Sequence, residues 1–119
     1  MSIDDALESL TFLPDRTPLT NRGDYFAVLT PYRDGAMFLA HYAGATEWER
    51  HNTGDEVVLV LEGRTTLILL IDGKELDHHL SPRELLVVPQ GVWHRFETPD
   101  GVKVMSITPQ PTDHQAERP

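Results

Sequence analysis

The chain has 119 residues, 19 of them acidic and 10 basic, giving a formal net charge of −9, and it contains no cysteine. That charge argues against nucleic acid and anionic membranes as partners, since both are bound through basic surfaces. The missing cysteines exclude disulfides, thiolate metal ligands and a thiol nucleophile.

The length fits one domain, residues 1–119, and a domain near this size buries about two-thirds of its unfolded surface. The first residues carry no basic flank followed by an apolar stretch, so no signal peptide is read there. The apolar run Val57–Leu61 is far too short to span a bilayer. A soluble cytoplasmic protein is expected.

Ser2–Phe12 reads as a short amphipathic helix. Ile3, Ala6, Leu7 and Leu10 fall on one face, Ser2 is placed to cap it and Pro14 to stop it. A helix this short is marginal alone and has to dock on something. Asp15–Asp24 reads as loop. Tyr25–Thr30 is a strand closed by Pro31, followed by the turn Arg33-Asp34-Gly35. Ala36–Tyr42 is the next strand, with Met37, Leu39 and His41 on one face and Phe38, Ala40 and Tyr42 on the other. Gly44–Gly54 is polar and irregular. Asp55–Leu61 is a strong strand, joined through Glu62-Gly63 as a hairpin to Arg64–Ile71. Asp72-Gly73 suits a two-residue turn because both positions tolerate positive φ. Lys74–Leu80 is a polar rim strand. Glu84–Val88, Trp93–Glu97 and Val102–Thr108 complete the set, the last two separated by Pro99-Asp100-Gly101. Residues 25–108 form the expected core, and 109–119, almost without apolar side chains, a mobile tail. Eight or so short strands with turn chemistry between them indicate an antiparallel all-β sandwich or barrel.

His51 and Glu56 stand at the mouth of the apolar run, and His94 follows Pro89-Gln90-Gly91 at the end of another. If the two runs are neighbours, the three side chains meet in one pocket. Two imidazoles and a carboxylate suit a first-row divalent metal and leave positions open. His51 and Glu56 are an odd number of residues apart, so they share a face only if Asn52-Thr53-Gly54 bends the chain. With Glu56 inward, Val58 and Val60 also point inward, while Val57, Leu59 and Leu61 face out. Both faces are apolar and need cover, from the second sheet and the helix or from another subunit, and a homodimer is expected because it makes that cover easier. The competing readings are plainer: Glu56 at a strand end paired with Arg64 or Arg95, and His94 as a hydrogen-bonded rim histidine. His41 and Phe96 are placed with Val58 as cavity-lining residues, although His41 fits a packing role better. His78 and His79 read as solvent-facing, Glu47–Glu49 as a solvated loop, and His114 is given no role.

These residues resemble the two motifs of the cupin superfamily, single-domain branch. Glu56, six residues, then Gly63 fits the end of the first motif, and His51 fits its second histidine. Glu49 then stands where the first histidine would be, and Gly44 is one residue from the motif's glycine. The other register, with Arg50 and Asn52 at the histidine positions, keeps no histidine ligand there. Pro89, Gly91 and His94 match the second motif, with Arg83 in place of its leading glycine and Thr98 of its closing asparagine. The match covers about residues 36–108. The resemblance implies an antiparallel double-sheet jelly-roll barrel with a short N-terminal helix. It implies a divalent metal (iron, manganese, nickel or zinc) on His51, Glu56 and His94, with Glu49 as a fourth ligand. It also implies binding or transformation of a small organic molecule, by dioxygenase- or isomerase-like chemistry. The alternative is a non-catalytic ligand-binding or structural dimer without metal, and the lost histidine favours it.

Overall fold

A computed structural model describes residues 1–20 and 23–119. The chain runs α1 (Ile3–Glu8), β1 (Leu13–Arg16), β2 (Phe26–Tyr32), β3 (Gly35–Ala45), β4 (Trp48–His51), β5 (Glu56–Gly63), β6 (Thr65–Ile71), β7 (Lys74–Leu80), β8 (Leu85–Val88), β9 (Trp93–Pro109) and β10 (Thr112–Gln115). No helix among the described residues is long and apolar enough to cross a membrane.

The longest strand organises the rest. β9 pairs antiparallel with β3 over most of its length, with β6 through residues 93–97 and with β5 through 102–107. The path β1-β3-β9-β4-β10 carries the other strands as branches. All ten strands of the described residues thus belong to one connected sheet that does not close on itself. The expected jelly roll is therefore met as an almost all-β fold, while separate sheets closed into a barrel are not seen. Nor is the sheet wholly antiparallel, because β1 runs parallel to β3.

Several local expectations change. β5 and β6 are consecutive but do not pair. Each is apolar and takes its own partners, β5 with β8 and β9, β6 with β7 and β9. Pro99-Asp100-Gly101 is not a turn between two strands. It stands opposite Ala43 alone, as a bulge inside β9, with Thr98 facing Gly44 and Val102 facing Tyr42. β2 continues through Pro31, an edge position where the missing N–H costs no ladder bond. The expected loop over 15–24 begins as β1, and residues 21 and 22 lie outside the described residues.

The chain's ends differ most. α1 is shorter than expected and buries no residue, although Ser2 caps it by accepting from the Asp5 N–H at 3.2 Å. Past the helix, Phe12 packs its ring on His41 at 4.7 Å. Within the tail, β10 pairs with β4, setting Thr112 opposite His51 and His114 opposite Glu49. Main-chain bonds and an Arg50–Asp113 contact of 2.7 Å hold it, and neither leaves a mark in hydropathy.

The Asp72-Gly73 turn joins β6 to β7 as expected, with φ of +51° and +74°. Inside, Tyr42, Val58, Val60, Leu67, Leu69, Val88 and Val102 form the buried core. Leu67 is fully buried in the middle of β6. Leu67→Ala will lower unfolding free energy by about 2–5 kcal/mol, measured by urea denaturation. A change below about 1 kcal/mol would mean that β6 does not face the core.

Candidate metal centre

Glu56 begins β5, and strand parity sends it inward with Val58 and Val60, each of them buried. His51 ends β4, and Asn52–Asp55 turn the chain before β5 starts. That turn lets two side chains five residues apart meet. The loop is fastened to the one before β9. Gln90 donates its side-chain amide to the Asn52 carbonyl at 2.6 Å and its N–H to Asp55 Oδ1 at 2.7 Å. The Gly91 N–H donates to the His51 carbonyl at 2.9 Å. His94, second in β9, faces Glu49 across the β4–β9 pairing.

Glu56 lies between the two imidazoles, its Oε1 3.0 Å from His94 Nε2 and its Oε2 3.4 Å from His51 Nε2. The imidazole rings are 5.2 Å apart between centroids. These contacts are close but not aligned as hydrogen bonds: His51 Nε2, His94 Nε2 and Glu56 Oε1 are buried with no hydrogen-bond partner. The far side of each group is fixed. His94 Nδ1 lies 2.9 Å from the Val92 carbonyl, which only accepts, so the proton sits on Nδ1. His51 Nδ1 lies 2.9 Å from Thr112 Oγ1. Thr112 donates its own proton to Gln110 Oε1 at 3.2 Å and so accepts from His51. Thr108 donates to Glu56 Oε2 at 2.6 Å. Both histidines are thus held with Nε2 turned to the carboxylate, the arrangement of metal-ligating imidazoles.

Glu49 joins them. Ligand atoms of Glu49, His51 and His94 all lie within 4.8 Å of one another. Donors about 2.1 Å from one ion and at right angles sit about 3 Å apart, close to the spacings seen around Glu56. The unpartnered buried atoms and the nitrogen–oxygen donor set fit a divalent ion.

Burial alone would push the Glu56 carboxyl up, but the two imidazoles outweigh it and hold it near a pKa of about 2. Burial pulls His94 down, and Glu56 with the Val92 carbonyl more than offsets that, so its pKa is raised. Glu49 is pushed up, first by burial and then by Glu56. Arg95 is engaged by Glu97 at 2.6 Å, so imidazoles, and not that guanidinium, flank Glu56.

A cavity of about 320 Å³ opens beside the cluster, and Glu49, His51, Glu56 and Phe96 line it. Two of the expected cavity residues lie elsewhere. Val58 is fully buried in the core, one pleat deeper than Glu56. His41 is on the other face of β3, against Phe12 and near Lys103, and burial lowers its pKa. From β3, Phe38, Ala40 and Tyr42 meet the cavity, with Leu39 also at its lining, and His41 does not. Thr108, Thr112 and His114 also line it and had no signal in the sequence. His114 Nδ1 pairs with Glu47 at 2.7 Å and lies 3.6 Å from Glu49, so the acidic loop is not simply solvated.

Comparison with known proteins agrees with this geometry. The profile of the family described as Cupin domain matches residues 37–108. The chain belongs to the cupin family. An acireductone dioxygenase of Rhodopseudomonas palustris (strain TIE-1) is 31% identical over 98 residues, 82% of this chain and 56% of that protein. This cupin therefore spans little more than half the length of that relative. A crystal structure of a cupin-2 domain protein from Shewanella frigidimarina superposes with a TM-score of 0.69 at 24% identity, covering 92% of this chain and 94% of the other. A hydroquinone 1,2-dioxygenase from Sphingomonas sp. TTNP3, solved with 4-hydroxybenzoate bound, gives 0.62 at 14% identity, covering 78% and 70%.

The ion pair sets a pH signature in the metal-free protein. Glu56, with its pKa depressed, stabilises the fold above its unfolded value near 4.5, and that contribution fades as pH falls toward about 2. His94, with its pKa raised, contributes fully below its unfolded value near 6.5 and loses the contribution as pH rises through the folded value. The stability gap between wild type and Glu56→Gln is therefore widest between about pH 4.5 and 6.5. In the same variant the His94 ring, without Glu56 and with the Val92 carbonyl and Glu49 still opposing burial, titrates lower than in the wild type, as read by NMR. An unchanged His94 titration would contradict the pairing.

Proposed function

We propose that this cupin binds a divalent metal through His51, Glu56, His94 and Glu49 and acts on a small organic molecule in the cavity, as a dioxygenase-type enzyme. The observation that carries the reading is the convergence of three buried, unpartnered ligand atoms, His51 Nε2, His94 Nε2 and Glu56 Oε1. The names of the acireductone and hydroquinone dioxygenases among its relatives support the reaction class. Iron, manganese, nickel and zinc all suit the donors. A bound ion would supply Lewis-acid or redox chemistry to an oxygen-bearing substrate.

The chain's own residues do the rest. Val92 and Thr112 hold the two imidazoles in the ligating tautomer, and Thr108 holds the Glu56 carboxylate. Phe26, Phe38 and Phe96 give the cavity an apolar wall that excludes water from a bound molecule. Glu49 in place of a histidine makes the donor set more anionic, which favours a harder ion over a soft one.

Purified protein incubated with each of Fe²⁺, Mn²⁺, Ni²⁺ and Zn²⁺ will retain close to one ion per chain for at least one of them. His94→Ala will weaken retention by more than about 100-fold, and Thr112→Val, which frees only the far side of His51, by about 10–100-fold. No retention of any of the four would leave a metal-free binding module as the better account. Oxygen uptake by the loaded protein with an enediol or a hydroquinone then separates an enzyme from a metal-holding binder.

We further propose a homodimer. Leu85 and Val87 on β8 are 57% and 47% exposed, and Val57, Leu59 and Leu61 beside them on β5 are only half covered. Sedimentation at twice the chain mass is expected; a clean monomer would remove the dimer.

A further inference from the structure

The same cavity holds a guanidinium that the metal reading does not use. Arg16 ends β1, where its backbone pairs with Gly44 of β3. Gly44 has a φ of +118°, and a Cβ there would run into the Arg16 carbonyl oxygen. Only glycine lets β1 come this close, and the close approach seats Arg16 at the cavity wall. Its guanidinium carbon lies 4.5 Å from the Tyr42 ring centroid and 5.0 Å from that of Tyr25.

The two rings are 6.2 Å apart and nearly perpendicular, so they flank the guanidinium from adjacent directions and do not sandwich it. A guanidinium carries five N–H donors around its edge. Arg16 Nε is buried and has no hydrogen-bond partner. Arg50, Arg95 and Arg118 each have a carboxylate within 3.1 Å. Among the described residues Arg16 pairs with none. The acids that share the cavity are engaged elsewhere: Glu56 with the two imidazoles, Glu47 with His114, and Glu49 beside His51, His94 and His114. A half-buried cation without an acid is costly unless an anion arrives to meet it. The guanidinium fork matches a carboxylate in a bidentate way. The nearby wall of Phe26, Phe38, Phe96 and Val104 takes a flat apolar body.

We propose that Arg16 is the carboxylate-binding residue of this cavity, and that the ligand is a compact organic carboxylate with a flat apolar body. The proposal shares the cavity with the reading above but does not rest on the metal, so it is tested on chelator-treated, metal-free full chain. The probes are benzoate and its neutral counterpart benzamide, titrated by NMR. Benzoate will bind at least about tenfold more tightly than benzamide. The Arg16 Nε–H resonance will shift with benzoate and not with benzamide. Arg16→Gln will abolish the preference for benzoate while leaving benzamide affinity as it was, and Arg16→Lys will keep part of it. Should Arg16→Gln fail to fold, the wild-type preference and the Nε–H shift decide the matter alone. Equal affinities, no benzoate binding at about 10 mM, an unmoved Arg16 resonance or a preference that survives Arg16→Gln would each overturn the proposal.

Discussion

A buried carboxylate between two imidazoles is the constraint on which this structure turns. Glu56 shares its face of β5 with Val58 and Val60, which are fully buried. A slip of one residue in that strand would throw Glu56 outward and take both valines with it. Core packing and the site therefore specify the same register. The carboxylate then needs a counter-charge, because burial without one would be far too costly. His51 and His94 flank it from strands β4 and β9, and His94, whose pKa is raised, supplies part of that charge.

The loops before β5 and β9 are fastened to each other by polar contacts. Gln90 ties itself to both Asn52 and Asp55, and Gly91 to His51. β9 then carries His94 into a strand long enough to serve β3, β4, β5 and β6 as partner. The cluster is thereby built on strands, with the outer atoms of His51, His94 and Glu56 bonded to Thr112, Val92 and Thr108. Groups held this way keep their ligating atoms pointed inward whether or not an ion is present.

The parts legible in the sequence were those with strong local chemistry. The apolar run after Glu56, the Pro-x-Gly-x-x-His stretch and the Asp72-Gly73 turn all announce themselves within a few residues. What parity along β3 does not say is which face meets a cavity: Tyr42 lines this one and His41 does not. Val58 illustrates a depth error: two residues along a strand is nearly 7 Å, enough to pass from the site into the core. β1 and β10 were missed because main-chain pairing of polar segments leaves no hydrophobic period to detect. Thr112, His114 and Arg16 came into the site with those strands, and no spacing rule links them to the motifs. β5 and β6 are adjacent in sequence but form no hairpin, because the longer β9 pairs with both.

The claim that Glu49, His51, Glu56 and His94 form one metal site is tested most directly by anomalous diffraction from crystals grown with Mn²⁺ or Zn²⁺, recorded on both sides of the metal's absorption edge. The account predicts a single strong peak about 2.0–2.3 Å from His51 Nε2, His94 Nε2 and an oxygen of Glu56, with Glu49 within reach of the same ion. A peak confined to Glu47 and His114 or to the His78–His79 pair, or no peak beside Glu56, would contradict it.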